Sequence, residues 1–424
     1  MSAAAPTPLL AIACGGTGGH LFPGVAVAEA LREHGARVQV LVSAKKVDQR
    51  IARTLSDVDV LTLPAISSSL TRFPAFVRAG VRSVFAVRAA FRHGRPGAVL
   101  AMGGFAAVPV ALSARSLRIP LFLHEANAVP GRANRWLMPL ARGAFVYFPQ
   151  AGVRLRPWPV LRVGMPVRPT FQPGEPAASQ MALGLQPGKA VLLVMGGSQG
   201  ASALNRLVAQ SLDLFAVREP ELQFLHLTVE ADADWVRRAY QQHQRRAVVR
   251  PFLSEMDLGL SAATVAVTRA GASSLAEQAA MRLPSILVPY PCAADDHQLY
   301  NARAFVETGA ARLLCEAEAT PSGLVAEAGL LLRDAAVRTG MQTALAAWHQ
   351  PDAAECIARH LLESLSPPAC CDQVKRSSPA FPGFTDARPV RQEDVDCPNR
   401  FQARLVFGTL AAGEPASPAH GHPD

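Results

Sequence analysis

Three times in this chain an apolar run ends in glycines and passes straight into a helical pattern. The runs are "LLAIACGGTGG" from Leu9, "AVLAMGGFAAVPVAL" from Ala98 and "AVLLVMGGSQGASALNRLV" from Ala190. Buried strand, tight turn and helix in immediate succession is the sequence form of a βα unit, and such units build a parallel sheet covered by helices. The first and third units stand about 180 residues apart, so each can open its own Rossmann-like domain. Between them the stretch "RPWPVLRVGMPVRPTFQPGEP" is dense in proline, as a linker is. These features predict an α/β protein of two Rossmann-like domains facing a cleft.

Half of the 424 residues are apolar, enough to bury substantial cores. The formal charge of +9 comes almost wholly from arginine, because lysine occurs only at Lys45, Lys46, Lys189 and Lys375. That balance suits an anionic partner: phosphate, nucleic acid or a membrane surface. Seven cysteines, an odd number without CxxC spacing, indicate neither a zinc site nor a disulfide framework and fit a reducing compartment. The apolar run Leu9 to Cys14 follows no basic segment and is too short for a signal peptide. No stretch approaches the roughly 18 apolar residues of a spanning helix, so any membrane contact is expected to be peripheral. From Ser366 onward, nine prolines and few periodic apolar positions predict little packed structure.

The glycine loops exclude two common readings. A dinucleotide fingerprint needs a third glycine where Leu21 stands and a carboxylate at the end of the second strand, where "ARVQVLVSAKK" has Ser43, Ala44 and Lys45. The P-loop pattern, glycine followed by lysine and then serine or threonine, is absent as well. What remains is a strand, glycines and a helix N-terminus, whose free N–H groups and dipole attract a phosphate or an acceptor group close to the backbone. His20 sits at that point, either as a catalytic base or as a capping and packing residue. The loop "MGGSQGASALN" has the same form, with Ser198 and Gln199 at its helix start.

A third cluster, "RAGASSLAEQAAMRLPSILVPYPCAADDHQLYNA", reads as loop, helix, buried strand and polar turn. Glu277 lies near the start of that helix, where its carboxylate can accept from ribose hydroxyls or simply be solvated beside the dipole. Asp295, Asp296 and His297 crowd the turn, but adjacent carboxylates point apart in most backbones, which disfavours a metal site.

Taken in order, "GGTGGHLFPGVAVAEAL", "MGGFAAVP", "PLFLHEANAVPGRANRWL", "VGMPVRP", "LLVMGGSQGASALN", "VTRAGASSLAE" and "ADDHQLYNA" resemble the MurG family of N-acetylglucosaminyltransferases. The resemblance runs from about Leu9 to about Leu362 and leaves the tail uncovered. It implies a GT-B fold, with an acceptor and membrane-associating domain at 1–165 and a UDP-N-acetylglucosamine domain at 166–345. A helix at 346–365 would return to the first domain, followed by a disordered tail at 366–424. The implied reaction is inverting and metal-independent. The 4-hydroxyl of the muramoyl sugar of lipid I, an undecaprenyl-linked acceptor, attacks UDP-N-acetylglucosamine and gives lipid II for peptidoglycan synthesis. No cofactor, metal or nucleic acid is implied. The implied location is the cytoplasmic face of the inner membrane, with other cell-wall synthesis proteins as possible partners.

Carried over by motif, His20 would sit beside the attacking hydroxyl, and Thr17, Gly18 and Gly19 near the donor sugar and diphosphate. Asn127 would contact the sugar, Arg168 and Ser198 would face the diphosphate, and Leu253 would pack by the uracil. Ala272, Ser273, Ser274, Leu275, Ala276 and Glu277 would form the phosphate and ribose turn, with Glu277 on the ribose, and His297 and Gln298 would flank the sugar hydroxyls. Three positions depart from the family pattern: Ala126 replaces a glutamine inside HExN, Phe105 replaces a tyrosine after MGG, and "HLTVE", His226 to Glu230, lacks the glycine of HQxG. Two other readings share parts of the pattern. Another GT-B enzyme, such as a lipid glycosyltransferase or a UDP-N-acetylglucosamine 2-epimerase, would share the nucleotide half, but "GGTGGH" and "HEAN" argue against both. An inactive sugar-nucleotide-binding scaffold is disfavoured by His20, Asn127 and Glu277 occurring together.

Between Asp59 and Glu125 the chain has no acidic residue. Within that span "LTRFPAFVRAGVRSVFAVRAAFRHGR" interleaves Phe73, Phe76, Val77, Val81, Val84, Phe85 and Phe91 with six arginines. Such a pattern fits a helix on an anionic bilayer surface. Equally, it fits an amphipathic helix with its apolar side in the core and its arginines solvated.

Overall fold

The computed structural model describes residues 7–15, 18–44, 58–63, 73–197 and 200–365. The strands β1 (Leu9–Ala13), β2 (Arg37–Ser43), β3 (Asp59–Leu63), β4 (Ala98–Ala101), β5 (Leu121–Glu125), β6 (Gly143–Val146) and β7 (Val160–Arg162) form one sheet, in the order β3-β2-β1-β4-β5-β6-β7. A second sheet has the order β10-β9-β8-β11-β12-β13. Its strands are β8 (Val191–Met195), β9 (Gln223–Leu227), β10 (Ala247–Arg250), β11 (Val265–Thr268), β12 (Ser285–Leu287) and β13 (Arg312–Leu313). Every pairing is parallel. The expected pair of α/β halves is therefore present.

The central strands β1, β4, β6 and β8 read as unbroken apolar runs because helices cover both sheet faces, leaving no solvent side to alternate toward, whereas the edge strands β3 and β10 are partly exposed. In β1, period-two geometry sends Leu10 and Ile12 to one buried cluster and Ala11 and Ala13 to another. The first cluster packs under α1 (Gly18–Glu33), and the second under α2 (Phe73–His93) and α3 (Ala107–Ser116). Strand β8, VLLVM, is buried along its whole length.

In each sheet the strand order reverses once, between β1 and β4 and between β8 and β11. The crevice outside the carboxyl ends at such a reversal is where open α/β sheets take ligands. The loop after β1 leads into α1, that after β5 into α4 (Arg132–Leu137), that after β8 into α5 (Ser202–Gln210) and that after β11 into α6 (Ala272–Met281). These are the segments that the sequence singled out.

The two halves share one core. Ala126, Ala128, Tyr147, Phe148 and Met165 of the first half are buried in one cluster with residues of α7 (His297–Glu307) and α8 (Ala335–Trp348) of the second. Phe305 stacks on Trp348 at 4.4 Å between centroids, and the Phe148 ring lies 5.3 Å from Trp348. The chain then crosses back, and α9 (Ala353–Glu363) buries Ile357 and Leu361 with Ile12 and Leu31 of the first half. No helix among the described residues is long and apolar enough to cross a membrane.

Candidate active site

His20 lies in the first turn of α1, over the crevice between β1 and β4. Two glycines after β4 let it come this close. Gly103 and Gly104 have φ of +103° and +74°, and a Cβ on Gly103 would stand 3.2 Å from the His20 ring. A Cβ on Gly104 would stand 2.8 Å from the Gly15 carbonyl, so the two glycine turns pack backbone to backbone. At the end of the neighbouring β5, burial holds His124 at about 4, with His20 adding to the downward shift, so His124 is neutral.

Glu125 is buried and organises the loop that follows. Its carboxylate accepts from the Asn127 N–H at 2.9 Å, the Asn127 Nδ2 at 3.3 Å, the Gly131 N–H at 2.8 Å and the Asn134 Nδ2 at 2.8 Å. Burial raises its pKa and these hydrogen bonds lower it. Sequence reading passed over Glu125 and Asn134, although both lie inside the quoted HEAN and GRANRWL stretches. Ala126, where the family pattern has glutamine, is buried in the core shared by the two halves, an apolar setting that suits a small apolar side chain.

The second crevice, between β8 and β11, is lined by the first turns of α6. Glu277 is partly buried there, and burial pushes its carboxyl up to about 7 against the downward pull of Arg168. The Arg168 guanidinium lies between the Phe22 ring at 4.6 Å and the Phe171 ring at 4.9 Å. Phe22 comes from α1, so this sandwich joins the two halves. Leu253 is only 4 % exposed and belongs to a core cluster of the second half. Its neighbour Phe252, 63 % exposed, is the larger apolar surface at that loop and went unremarked in the sequence.

Where the HQxG glycine is missing, a polar network replaces it. Buried His226 lies 2.9 Å from the Tyr240 hydroxyl and 2.9 Å from the Asn205 Oδ1, and burial lowers its pKa to about 3. Asn205 Nδ2 donates to Thr228 Oγ1 at 2.8 Å and to Asp232 at 2.9 Å, and Asp232 also accepts from Ser202 Oγ at 2.6 Å. These bonds fix the start of α5. Thr17 and Ser198 lie outside the described residues.

Across the cleft the polar contacts converge. Ser273 Oγ donates to the Gly19 carbonyl at 2.9 Å. Asn301, in the quoted ADDHQLYNA stretch but without an assigned role, accepts from the Ala128 N–H at 2.8 Å and donates to Asn127 Oδ1 and to the Ala270 carbonyl, each at 3.1 Å. The Asn127 carboxamide is thus held from both halves. Asp295, with φ of +53°, is paired with Arg132 and Arg135 of α4. His297 Nδ1 lies 2.8 Å from the Ala294 carbonyl, and Gln298 Oε1 accepts from the Tyr290 N–H at 3.0 Å. Among the described residues no three His, Cys, Asp or Glu side chains gather in a metal-ligand cluster.

Profiles of glycosyltransferase family 28 match both halves, the N-terminal domain over residues 10–146 and the C-terminal domain over residues 191–357. A protein from Sorangium cellulosum (strain So ce56) called UDP-N-acetylglucosamine–N-acetylmuramyl-(pentapeptide) pyrophosphoryl-undecaprenol N-acetylglucosamine transferase is 38% identical over 363 residues, covering 83% of this chain and 87% of that one. A protein of the same name from Xylella fastidiosa (strain M12) is 37% identical over 355 residues, covering 83% and 95%. The crystal structure of Acinetobacter baumannii MurG superposes with a TM-score of 0.65 at 25% identity, covering 84% of this chain and 100% of that one. A calicheamicin glycosyltransferase, TM-score 0.57 at 16% identity over 86% of this chain and 100% of that one, shares the fold. With profiles over both halves and relatives of this identity along most of its length, the chain belongs to the MurG family of glycosyltransferase family 28.

Proposed function

We propose that the chain transfers N-acetylglucosamine from UDP-N-acetylglucosamine to the 4-hydroxyl of the muramoyl sugar of lipid I, giving lipid II, with inversion and without a metal. The observation that carries this reading is the meeting of two helix starts from two sheet reversals. His20 and the glycine turns of the first half face Ser273, Glu277 and Arg168 of the second, joined by the 2.9 Å bond from Ser273 to Gly19. In this reading residues 1–165 and α9 receive the acceptor and 166–345 hold the donor. Glu277 accepts from ribose hydroxyls and the first turn of α6, Ala272 to Leu275 and Ala276, supplies N–H groups to the diphosphate. Arg168 and Ser198 face the same phosphates, so the charge that develops on departing UDP meets a guanidinium and helix N-termini. Leu253 borders the uracil, while Thr17, Gly18, Gly19, Asn127, His297 and Gln298 surround the donor sugar. His20 takes the proton from the attacking hydroxyl as the glycosidic bond to UDP breaks.

The acceptor is lipid-linked, so the enzyme works as a peripheral protein on the cytoplasmic leaflet, in cell-wall synthesis and hence in cell shape and division. The test is turnover of UDP-N-acetylglucosamine with a lipid I analogue, with UDP release and disaccharide product both followed. Wild-type protein is expected to turn over with a chelator present. His20→Ala should lose roughly 10² to 10⁴ in kcat, the range for a positioned base, with donor affinity little changed. A wild-type rate in that variant would make His20 structural, and loss of wild-type activity on chelation would overturn the metal-free mechanism.

A further inference from the structure

Helix α1 carries Pro23 in its interior, about one turn past Gly19 of the glycine loop that leads into it. An interior proline gives up the N–H that would bond the carbonyl four residues earlier, and it crowds that carbonyl. Here the carbonyl four residues earlier belongs to Gly19. This is the carbonyl that accepts from Ser273 Oγ across the cleft at 2.9 Å. Ser273 is the second residue of α6, whose cap is Gly271, and its hydroxyl donates to the facing helix. One residue before Pro23, Phe22 covers the Arg168 guanidinium. Met165, Pro166, Val167, Ser273 and Glu277 close the small cavity beside Phe22 and Pro23.

The geometry points to Pro23 as a positioning residue for the transfer reaction. By withholding its N–H it leaves the Gly19 carbonyl turned to Ser273, and this bond sets the turn carrying His20 in register with the turn carrying Glu277. The role rests on the proposed reaction, since it concerns the alignment of the donor lobe with the acceptor lobe. An ordinary residue at 23 would return the Gly19 carbonyl to the helix. The helix would gain a bond that draws the Gly19 carbonyl toward its axis, and the cross-lobe anchor to Ser273 would be weakened.

This inverts the usual link between damage and inactivity. Pro23→Ala is expected to raise Tm, because helix-interior proline is destabilising relative to alanine, while kcat falls about tenfold, as loss of one ordinary hydrogen bond does. Ser273→Ala, which removes the donor and leaves α1 alone, should lower kcat by a similar factor, and Ser273→Thr should retain most of it. The double variant Pro23→Ala, Ser273→Ala should be no slower than Ser273→Ala alone, since both act on the same bond. UDP affinity by calorimetry should stay within about twofold of wild type in Pro23→Ala, because the nucleotide is held by the second half and Pro23 lies in the first. Wild-type kcat in the single variants, or multiplicative losses in the double, would overturn the role of Pro23. Wild-type protein that binds UDP but does not turn over lipid I analogue would instead sink the proposed reaction.

Discussion

At the scale of single residues, Glu277 joins ionisation to binding. A carboxylate that accepts from two ribose hydroxyls must be charged, yet burial holds the free group up near 7. Below that pH donor binding has to expel a proton. UDP-N-acetylglucosamine, whose diphosphate is esterified at both ends, is therefore expected to bind more weakly as pH falls from 8 to 6, approaching tenfold per unit below 7. Titration calorimetry in buffers of different ionisation enthalpy should show proton release in the same window. Glu277→Gln should flatten the profile, and Glu277→Ala should weaken binding at pH 8 by about 1.5 to 3 kcal/mol. A pH-independent wild-type Kd would remove Glu277 from the ribose. The same raised pKa means that stability attributable to this group is greatest below the ordinary carboxylate range and declines as pH rises toward 7. Glu277 itself was legible in the sequence as a carboxylate near a helix start. Its partner Arg168 was legible only through the family motif, and the Phe22 and Phe171 sandwich not at all, because ring-over-guanidinium packing between distant segments leaves no local periodicity. Glu125 illustrates the same limit, since a buried carboxylate serving three N–H groups of its own loop looks in sequence like any other strand-end acid.

At the scale of elements, α2 divides between the two readings that composition left open. The helix is apolar on more than one side. Val87 and Phe91 are buried against the first sheet, so Phe91 belongs to the core and not to an outer surface. Val77, Val81 and Phe85, spaced four residues apart, are 44%, 49% and 67% exposed, and Arg78 and Arg82 are exposed beside them. Core packing accounts for the first set and leaves the second unexplained, as an apolar line flanked by cations on an outer face is. Phe73 and Phe76 have no described side-chain placement. Arg88 donates to Ser116 Oγ of α3 and so acts within the protein. Arginines near an anionic bilayer contribute about 1 kcal/mol each. Arg78→Glu together with Arg82→Glu, with Phe85→Ser added, is accordingly expected to release the protein from anionic vesicles in flotation, while turnover on a water-soluble acceptor persists. Retention on vesicles by this variant, insensitive to salt, would place the membrane contact on another face.

At the scale of the whole molecule, the two halves were legible as repeated βα units, but the core they share was not. The proline-dense stretch read only as a linker, and the resemblance implied a helix at 346–365 returning to the first domain. The structure also buries Tyr147 and Phe148 of the first half with Phe305 and Trp348 of the second in a continuous aromatic core. The chain passes between halves along the segment after β7 and again between α8 and α9, and these two crossings touch. Gly164, on the first, has φ of +85°, and a Cβ there would stand 2.5 Å from the Gln350 side chain on the second. The Gly164 backbone also bonds buried His124, next to His20, so the crossing is linked to the candidate catalytic turn. Any relative motion of the two halves has to pass through these two crossings, and at Gly164 a side chain would be strained. Gly164→Ala should cost about 1 to 2 kcal/mol from the left-handed backbone alone, read as a lowered urea midpoint. It should also change kcat and KM together, as displacement of a hinge does. Gly164→Ala, Gln350→Gly removes the Cβ and Cγ that collide but not the backbone strain, so part of the stability loss should remain while kinetics recover toward wild type. Wild-type kinetics and an unchanged urea midpoint in Gly164→Ala would show that the crossing tolerates a side chain and that the lobes pivot elsewhere.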